Sequence, residues 1–244
     1  MVRILLGKLS EDGWNDIIRE SALIGDTGSR IDFLSSKFLG VDYAESTLTG
    51  GKDAPEVFII NLRGVDCFTF LEYVEAMGLS ESFSGFKENL RKVRYRSGIV
   101  SFENRNHFFT DWREFNKEFI EDVTEKIGGP RTVKVQKVLN GQENGTHILP
   151  GIRPVKRDIA YIPSESVDDR ILKELRTGDY TGIYSDVKGL DVSHVGIFIR
   201  DGDSIFLRHA SSQKEYRKVV DQDFREYIAH KPGIIVLRPS PYYP

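Results

Sequence analysis

The stretch that decides the fold is Gly64-Val65-Asp66-Cys67-Phe68-Thr69-Phe70-Leu71-Glu72-Tyr73-Val74. It predicts a turn that leads directly into a helix beginning at Cys67, the only cysteine in 244 residues. A thiol at a helix N-terminus faces unpaired backbone N–H groups and the positive end of the helix dipole, and both favour the thiolate. A single cysteine excludes an intrachain disulfide and a multi-cysteine metal site, so Cys67 is either a nucleophile or an inert core thiol.

The helix dipole alone is too weak to activate this thiol. A charge at a helix terminus gains roughly 0.3–1 kcal/mol and at best about 2 kcal/mol, which lowers a thiol pKa by about one unit. From a free value of about 8.5, much of the thiol stays protonated at neutral pH. Activation therefore needs a histidine held on another element, because an adjacent imidazole lowers the thiol pKa further. The candidates are His107, His147, His194, His209 and His230.

Two of these histidines fall on one predicted hairpin. Residues 192–200 and 204–209 alternate like strands, and the Asp201-Gly202 pair between them is a strong signal for a two-residue turn. With that pair as the turn, His194 lies directly opposite His209. Opposed residues point to the same sheet face with Cβ atoms about 4.5–5.5 Å apart. A register slip of one residue would separate the two imidazoles, so this prediction depends on the turn.

These residues predict nucleophilic catalysis. Cys67 would attack, His194 would act as general base and acid, and His209 would bond the far nitrogen of His194 and fix its tautomer. A single histidine on an apolar strand face is more often a core residue, but two that face each other are harder to explain in that way. A zinc site from the same three residues lacks the usual closely spaced ligand pairs. We therefore predict no metal and no cofactor.

The motifs resemble the NlpC-type papain-like cysteine peptidases of bacterial cell walls. The resemblance lies in Asp66-Cys67 at a helix start, Ser193-His194-Val195-Gly196-Ile197 on a strand, and a polar residue on the next strand. That family commonly has a Gly-x-x-Tyr segment upstream of the cysteine, and Gly40-Val41-Asp42-Tyr43 matches it. The chain departs from the family at Phe68-Thr69, where Ser-Gly is usual, and at Asp42, where proline is common.

Those departures match a narrower subfamily, whose members look like N-acetylmuramoyl-L-alanine amidases. The matching blocks, from about residue 10 to 240, are Asp66-Cys67-Phe68-Thr69-Phe70, Asn106-His107-Phe108-Phe109-Thr110-Asp111-Trp112, Gly189-Leu190-Asp191-Val192-Ser193-His194-Val195-Gly196 and His209-Ala210-Ser211. The resemblance implies hydrolysis of the amide between N-acetylmuramic acid and L-alanine, with peptidoglycan fragments as partners. It also implies that the Tyr43 hydroxyl supports an oxyanion and that His107 lies in the substrate site.

Other residues of these blocks are weaker candidates for substrate binding. Asp66 and Ser193 directly precede Cys67 and His194, respectively. The run Asp111-Trp112-Arg113-Glu114 predicts a capping box that opens a helix continuing to Ile127, so Asp111 is either an N-cap or a substrate contact. Trp112 is either core or a sugar-stacking surface. Tyr161 is a candidate pocket wall.

The order of elements predicts an α+β, papain-like fold. Two helices fill the first forty residues, the helix at Cys67 runs to about Met77, and a further helix follows towards Tyr95. From Thr132 onward strands dominate, so we expect the nucleophile helix to pack on a mostly antiparallel sheet. The prediction is a single catalytic domain, 1–244, with a helical and loop insertion at about 78–130.

Composition limits the partners and the location. A net charge of −3 and a pI near 6.0 give no electrostatic reason to expect nucleic acid. No apolar run approaches the roughly 18 residues of a membrane span. The substrate that the resemblance implies favours the periplasm or cell envelope, with the export signal outside this chain and the cytoplasm as the alternative.

Three alternative functions remain open from the sequence. The wider family often cuts between D-glutamate and the diamino acid of the stem peptide. The same nucleophile could hydrolyse a thioester. A wall-binding module without catalytic activity would keep Cys67 as a core thiol.

Overall fold

The computed structural model describes residues 2–142 and 145–242. Within these residues the helices are α1 (Glu11–Ala22), α2 (Thr27–Ser36), α3 (Cys67–Gly78), α4 (Phe83–Arg94), α5 (Phe109–Phe115), α6 (Thr124–Gly128), α7 (Asp169–Glu174) and α8 (Phe224–Ile228). The strands are β1 (Val2–Leu5), β2 (Asp42–Tyr43), β3 (Phe58–Asn61), β4 (Gly64–Val65), β5 (Ile120–Asp122), β6 (Val133–Leu139), β7 (Val155–Pro163), β8 (Tyr180–Tyr184), β9 (Val192–Asp201), β10 (Ser204–Ala210), β11 (Val219–Asp223) and β12 (Gly233–Pro239).

The main sheet has the strand order β11-β10-β9-β8-β12-β7-β6, and β5 pairs with β12. All of these pairs are antiparallel. Two short parallel pairs, β1 with β3 and β2 with β4, lie outside it. The predicted α+β class is confirmed, with helices first and an antiparallel sheet after them.

The first two helices form where the sequence predicts them. Ser10 caps α1 by accepting the Gly13 N–H, and Asp26 caps α2 by accepting the Ser29 N–H. Short side chains with a hydroxyl or carboxylate oxygen are the preferred N-caps, because they satisfy N–H groups that have no partner in the first turn. The apolar faces of both helices are buried in the main hydrophobic core.

Helix α3 lies at the centre of that core. It begins at Cys67, as predicted, and every residue from Thr69 to Gly78 is buried. It packs against α2, α4 and strand β9. A helix that is buried on all sides must either lack charges or pair them, and α3 carries two buried carboxylates.

Both carboxylates are bonded to distant elements. Glu72 forms a fully buried ion pair with Arg94 of α4, with 2.6 Å between Oε2 and Nε. Arg94 also donates to the carbonyl of Ile59 on β3 (2.7 Å). Glu75 accepts the hydroxyl groups of Tyr180 on β8 (2.6 Å) and Tyr242 near the C-terminus (2.7 Å).

The helix predicted from Asp111 to Ile127 is wrong. The structure has the seven-residue α5, which begins two residues earlier, then β5 and then the separate α6. Asp111 lies inside α5 and caps nothing. The Asp191 carboxylate instead accepts the Thr110 N–H (2.7 Å) at the start of this helix. After Phe115 the amide of Asn116 donates back to the Trp112 carbonyl (2.8 Å), which satisfies a carbonyl of the last turn.

The predicted hairpin exists, but its register is wrong by two residues. Asp201 pairs with Ser204, so the turn residues are Gly202-Asp203. Gly202 takes the first central position with φ +57°, which only glycine adopts without strain. Continuing this register places His209 opposite Gly196, so His194 and His209 are diagonal neighbours. An even shift preserves the face to which a side chain points, so both imidazoles still share one face.

The segment 78–130, which we predict to be an insertion, carries α4, α5, β5 and α6. Its strand β5 joins the main sheet through β12, with Leu237 paired to Asp122. Two short helices, α7 and α8, lie among the strands of the second half of the chain. None of the helices within residues 2–142 and 145–242 combines the length and apolar character that crossing a bilayer requires.

Candidate active site

Cys67 is the first residue of α3 because Asp66 caps the helix. Asp66 Oδ1 accepts the N–H groups of Phe68 (3.0 Å) and Thr69 (2.8 Å). The Thr69 hydroxyl in turn accepts the Asp66 N–H (3.1 Å), which completes a capping box. Thr69 therefore has a structural role as the fourth residue of the capping box. The cap uses the N–H groups that follow Cys67 and leaves the N–H of Cys67 itself outside it.

The second oxygen of Asp66 holds the loop that precedes the site. Oδ2 accepts the Thr47 hydroxyl (2.8 Å), which ties the loop after β2 to the start of α3. Both oxygens of the Asp66 carboxylate are thus used within the protein. The structure gives Asp66, which we predicted as a binding residue, the contacts of a scaffold residue.

Tyr43 lies beside the helix start because β2 pairs with β4. Tyr43 is the register partner of Val65, two residues before Cys67, and its N–H donates to the carbonyl of Arg217 (2.9 Å). The close approach requires glycine at Gly64, since a Cβ there would lie 2.9 Å from the Ala44 Cβ. The Arg217 guanidinium covers the Tyr43 ring at 4.8 Å.

The pKa of Tyr43 responds to the charge of Cys67. Burial, followed by the charges of Cys67 and Asp66, raises the pKa of Tyr43 above its usual value. The hydroxyl therefore stays protonated at neutral pH and is a hydrogen-bond donor.

The Cys67 sulfur is half-buried, and three backbone N–H groups influence its pKa. Burial, followed by the Asp66 carboxylate, raises the pKa of this thiol to about 12. The N–H groups, those of Val195, Cys67 and Phe68, lower the pKa but do not offset this rise. The resting thiol is therefore protonated. The effect of the Val195 N–H and the packing of α3 on β9 indicate that the sulfur faces the strand of His194.

The two imidazoles form a pair with a short hydrogen bond. His194 Nε2 and His209 Nδ1 lie 2.6 Å apart, and the rings are almost perpendicular at 89°. Burial, and then His209 and Lys231, lower the pKa of His194 to about 3. Burial lowers the pKa of His209 to about 4 against the opposite effects of Gln222 and Asp221. Both rings are neutral at neutral pH.

The sulfur lies near the imidazole pair but forms no hydrogen bond with it in this structure. Among the residues that the structure describes, no hydrogen bond joins Sγ to either imidazole. Contacts of this kind are often long in the free enzyme and shorten only when substrate binds. The register correction does not separate the pair, because a diagonal neighbour on one face is still within reach of an aromatic ring.

Sequence reasoning missed two residues of this site. Gln222 of β11 bonds the outer nitrogen of His209, with 2.6 Å between Nε2 and Oε1. Tyr227 of α8 covers both imidazoles, with ring centroids 4.9 Å from His209 and 6.1 Å from His194. Burial, and then the Cys67 charge, raise the pKa of Tyr227. The sequence of residues 219–223, Val-Val-Asp-Gln-Asp, has no alternation of apolar and polar residues that would mark a strand beside the strand of His209.

Three of the predicted binding residues have their contacts elsewhere. His107 Nε2 bonds the Phe102 carbonyl (2.7 Å), and burial lowers the pKa of His107 to about 4. Asp111 forms ion pairs with Arg157 and Arg96. The Trp112 ring is fully buried and packs on Phe68, Phe109 and Tyr180, so it has the contacts of a core residue rather than of a sugar platform.

Ser193 and Tyr161 lie closer to the histidines. Ser193 is exposed and directly precedes His194. A β-bulge interrupts the β8–β9 pairing here, between Ile183, which pairs with His194, and Tyr184, which pairs with Val192. Tyr161 stacks face to face on Tyr184 with ring centroids 3.8 Å apart. The stack therefore lies one residue pair from His194.

A thiol near two hydrogen-bonded imidazoles can supply a nucleophile, a base and an orienting group. In the part of the chain that the structure describes, no group of three or more histidine, cysteine or acidic side chains is arranged to hold a metal ion.

Comparisons with known proteins agree with this fold. A protein of Legionella pneumophila is 23% identical with a TM-score of 0.80, over 96% of this chain and 95% of that one. Two structures of an N-acetylmuramoyl-L-alanine amidase from Bacteroides uniformis are 27% and 28% identical, with TM-scores of 0.73 and 0.74. Both cover 88% of this chain and 100% of their own.

No curated protein sequence matches the chain. A family model described as AmiA-like, N-acetylmuramoyl-L-alanine amidase-like, matches residues 33–234. That segment contains the cysteine, both histidines, Tyr43 and Gln222. Because the match spans most of its length, the chain belongs to the AmiA-like family of N-acetylmuramoyl-L-alanine amidase-like proteins.

Proposed function

We propose that this protein is a cysteine amidase that hydrolyses the amide between N-acetylmuramic acid and L-alanine in peptidoglycan or its fragments. The observation that carries the proposal is the convergence of Cys67 with a hydrogen-bonded histidine pair. Helix α3, which begins at Cys67, packs on the strand that carries His194, and His194 bonds His209 at 2.6 Å. Membership of the AmiA-like family supports the choice of amide.

The mechanism begins from a neutral pair. Burial raises the pKa of the Cys67 thiol to about 12 and lowers the pKa of His194 to about 3, so a separated ion pair is unfavourable before substrate arrives. Proton transfer from Sγ to His194 therefore accompanies attack of the sulfur on the amide carbonyl. His209 accepts a hydrogen bond from His194 Nε2 and stabilises the imidazolium as it forms.

The acyl-enzyme forms when His194 donates this proton to the leaving group. The C–N bond breaks, the imidazolium protonates the leaving amine of L-alanine, and the lactyl acyl group stays on Cys67 as a thioester. Water, deprotonated by His194, then attacks this thioester and releases the sugar acid. The free thiol regains its proton in the same step.

In this proposal two donors stabilise the oxyanion. One is the N–H of Cys67, which the Asp66 capping box does not use. The other is the hydroxyl of Tyr43, which the raised pKa keeps protonated. Donors aimed at the developing charge contribute more than any other single effect in many acyl-transfer enzymes.

The test is digestion of one defined disaccharide tetrapeptide, followed by mass spectrometry. Free disaccharide together with intact tetrapeptide is the expected result, and Cys67→Ala should abolish it. Release of a disaccharide dipeptide together with a free dipeptide would instead indicate cleavage after D-glutamate. Activity that persists in Cys67→Ala, or an intact substrate with the unmodified protein, would contradict the proposal.

A wall substrate also sets the proposed place of action. We propose the periplasm or cell envelope, where peptidoglycan and its fragments occur. Fractionation of cells that produce the full-length protein would test this, with recovery in the cytoplasmic fraction as the contrary result.

A further inference from the structure

Gln222 stands at the outer end of a chain of hydrogen bonds that crosses three neighbouring strands. His194 lies on β9, His209 on β10 and Gln222 on β11. Leu207 pairs with Gln222 and His209 pairs with Val220, so Gln222 points to the same sheet face as both imidazoles. The His194–His209 and His209–Gln222 hydrogen bonds are each 2.6 Å long.

We propose that Gln222 is a positioning residue whose amide oxygen fixes the tautomers of both histidines and leaves Nδ1 of His194 without a proton. The argument rests on the proposed function, in which His194 is the base. An amide oxygen can only accept, so His209 must carry its proton on Nε2. A neutral imidazole with a proton on Nε2 has a bare Nδ1, which therefore accepts from Nε2 of His194. His194 then has a bare Nδ1, the nitrogen that can take the thiol proton.

The neutrality of the amide matters as much as its oxygen. A carboxylate at this position would hold a second proton on His209, because an imidazolium beside an anion is stabilised. His209 would then donate from Nδ1 to His194, and the proton of His194 would move to the nitrogen needed as base. Glutamine supplies the acceptor without the charge.

Other titratable groups surround the hydrogen bonds that join His194, His209 and Gln222, and they lie on several neighbouring elements. Cys67 on α3 and Tyr227 on α8 lie on the inner side, and Lys231 after α8 lowers the pKa of His194. Asp221 on β11 raises the pKa of His209 but is bound to Arg208 by two hydrogen bonds of 2.8 Å. A cavity of about 470 Å³ beside Gln222 is lined by further titratable groups: Asp223, Glu226 and His230. This opening allows a glutamate at position 222 to be solvated.

Two substitutions distinguish the effect of the Gln222 amide oxygen from the effect of a charge at this position. Gln222→Met keeps the length of the side chain but offers only a weak acceptor, so kcat should fall about tenfold at every pH. This is less than the ~10⁴-fold that a wrong tautomer costs when the direct partner is changed in a serine triad. Gln222→Glu keeps the acceptor, so its activity should approach that of the unmodified protein at high pH. The acid limb of its pH profile should move upward by at least about one pH unit.

The tautomers themselves can be measured without turnover. Nitrogen-15 NMR of histidine-labelled protein should show both His194 and His209 protonated on Nε2, and mixed tautomers in Gln222→Met. Gln213→Met is the matched control, since Gln213 lines the same cavity and bonds neither imidazole. It should leave both the spectrum and the pH profile unchanged.

The outcomes are distinct from those that test the amidase itself. Equal fractional losses at all pH values in both variants, with unchanged tautomers, would mean that Gln222 is only a packing contact and would overturn the inference. A single Nε2–H tautomer that depends on Gln222 supports it whether or not muropeptides are cleaved. Absence of cleavage by the unmodified protein would count against the proposed function alone.

Discussion

The chemistry of single residues in this site is governed by burial. A thiol at a helix start and an imidazole beside it are commonly expected to form an ion pair. Here the loss of water raises the pKa of Cys67 and lowers that of His194, so the charged forms are avoided until the oxyanion and its donors are present. In the proposed mechanism the site is therefore unreactive when empty and becomes reactive when substrate supplies the developing charge.

The first residue prediction concerns the unequal roles of the histidines. His194→Ala removes the base and should lower kcat by about 10²–10⁴-fold. His209→Ala leaves the base in place and removes only its direct orienting partner, so the loss should be smaller than the loss at position 194. Steady-state kinetics on the disaccharide tetrapeptide would measure both. His147→Ala, which changes an exposed histidine, is the control and should have little effect. Equal losses at positions 194 and 209 would argue against the orienting role.

Tyr43 gives a second prediction at this scale. Tyr43→Phe keeps the ring under Arg217 and removes only the hydroxyl, so kcat should fall with little change in KM. The loss of one oxyanion donor costs about 10²–10³-fold in rate. Tyr216→Phe, at a tyrosine that is 40% exposed, should behave like the unmodified protein. A rise in KM at constant kcat would show instead that the hydroxyl binds the ground state.

Sequence reasoning identified the residues of the site that are marked by local motifs. Cys67 stands in a capping motif, and the two histidines stand in alternating strands on either side of a turn. Gln222 and Tyr227 have no such mark, because they reach the site through the pairing of β10 with β11 and the packing of α8. That information is tertiary and lies outside any short window of sequence.

At the scale of elements, α3 is joined to its neighbours by its buried charges. The Glu72–Arg94 pair connects it to α4, and Arg94 extends the connection to the β3 carbonyl of Ile59. Breaking a buried pair is costly because one charge remains without compensation, whereas replacing both charges by apolar groups is often close to neutral.

This connection predicts a specific double-mutant cycle. Arg94→Met or Glu72→Met alone should lower the free energy of unfolding by about 3–5 kcal/mol, and the double variant should recover much of that loss. Urea unfolding followed by circular dichroism would measure it. Lys117→Met, which breaks an exposed pair with Glu114, should change stability by less than about 1 kcal/mol. Additive losses in the double variant would show that the pair is not coupled.

Two elements show why local patterns failed. The predicted capping box at Asp111 has the right residue types, but the cap of α5 comes from Asp191, far along the chain. In the hairpin, both Asp201-Gly202 and Gly202-Asp203 are good turn pairs. Strand pairing with the rest of the sheet selects the second. The prediction of the face survived because the register moved by an even number.

At the scale of the whole molecule, a hydrogen-bonded cluster around Glu75 joins α3 to segments that are distant in sequence. Tyr242 reaches the Glu75 carboxylate from the C-terminal side, and the Tyr242 N–H donates to Thr27 at the start of α2 (3.2 Å). Tyr180 brings β8 to the same oxygen. Glu75 of α3 therefore binds the sheet and the C-terminal segment directly, and Tyr242 connects this cluster to α2.

Glu75 makes stability depend on pH. Burial raises the pKa of Glu75 to about 7 against the two tyrosine hydrogen bonds, while an unfolded glutamate titrates near 4.5. The folded state holds the proton more tightly, so this contribution is fully present below about pH 4.5 and is lost as pH rises through 7. The difference corresponds to a loss on the order of 3 kcal/mol.

Glu75→Gln removes the titration while keeping an oxygen for both tyrosines. Urea unfolding between pH 5 and 9 should show the unmodified protein losing stability relative to the variant as pH rises, and the difference should level off above pH 8. Taking the difference at each pH cancels the titration of all other groups. If the two stability curves stay parallel over this range, Glu75 is ionised in the folded state and the buried cluster at its carboxylate is held together by charge instead of by a shared proton.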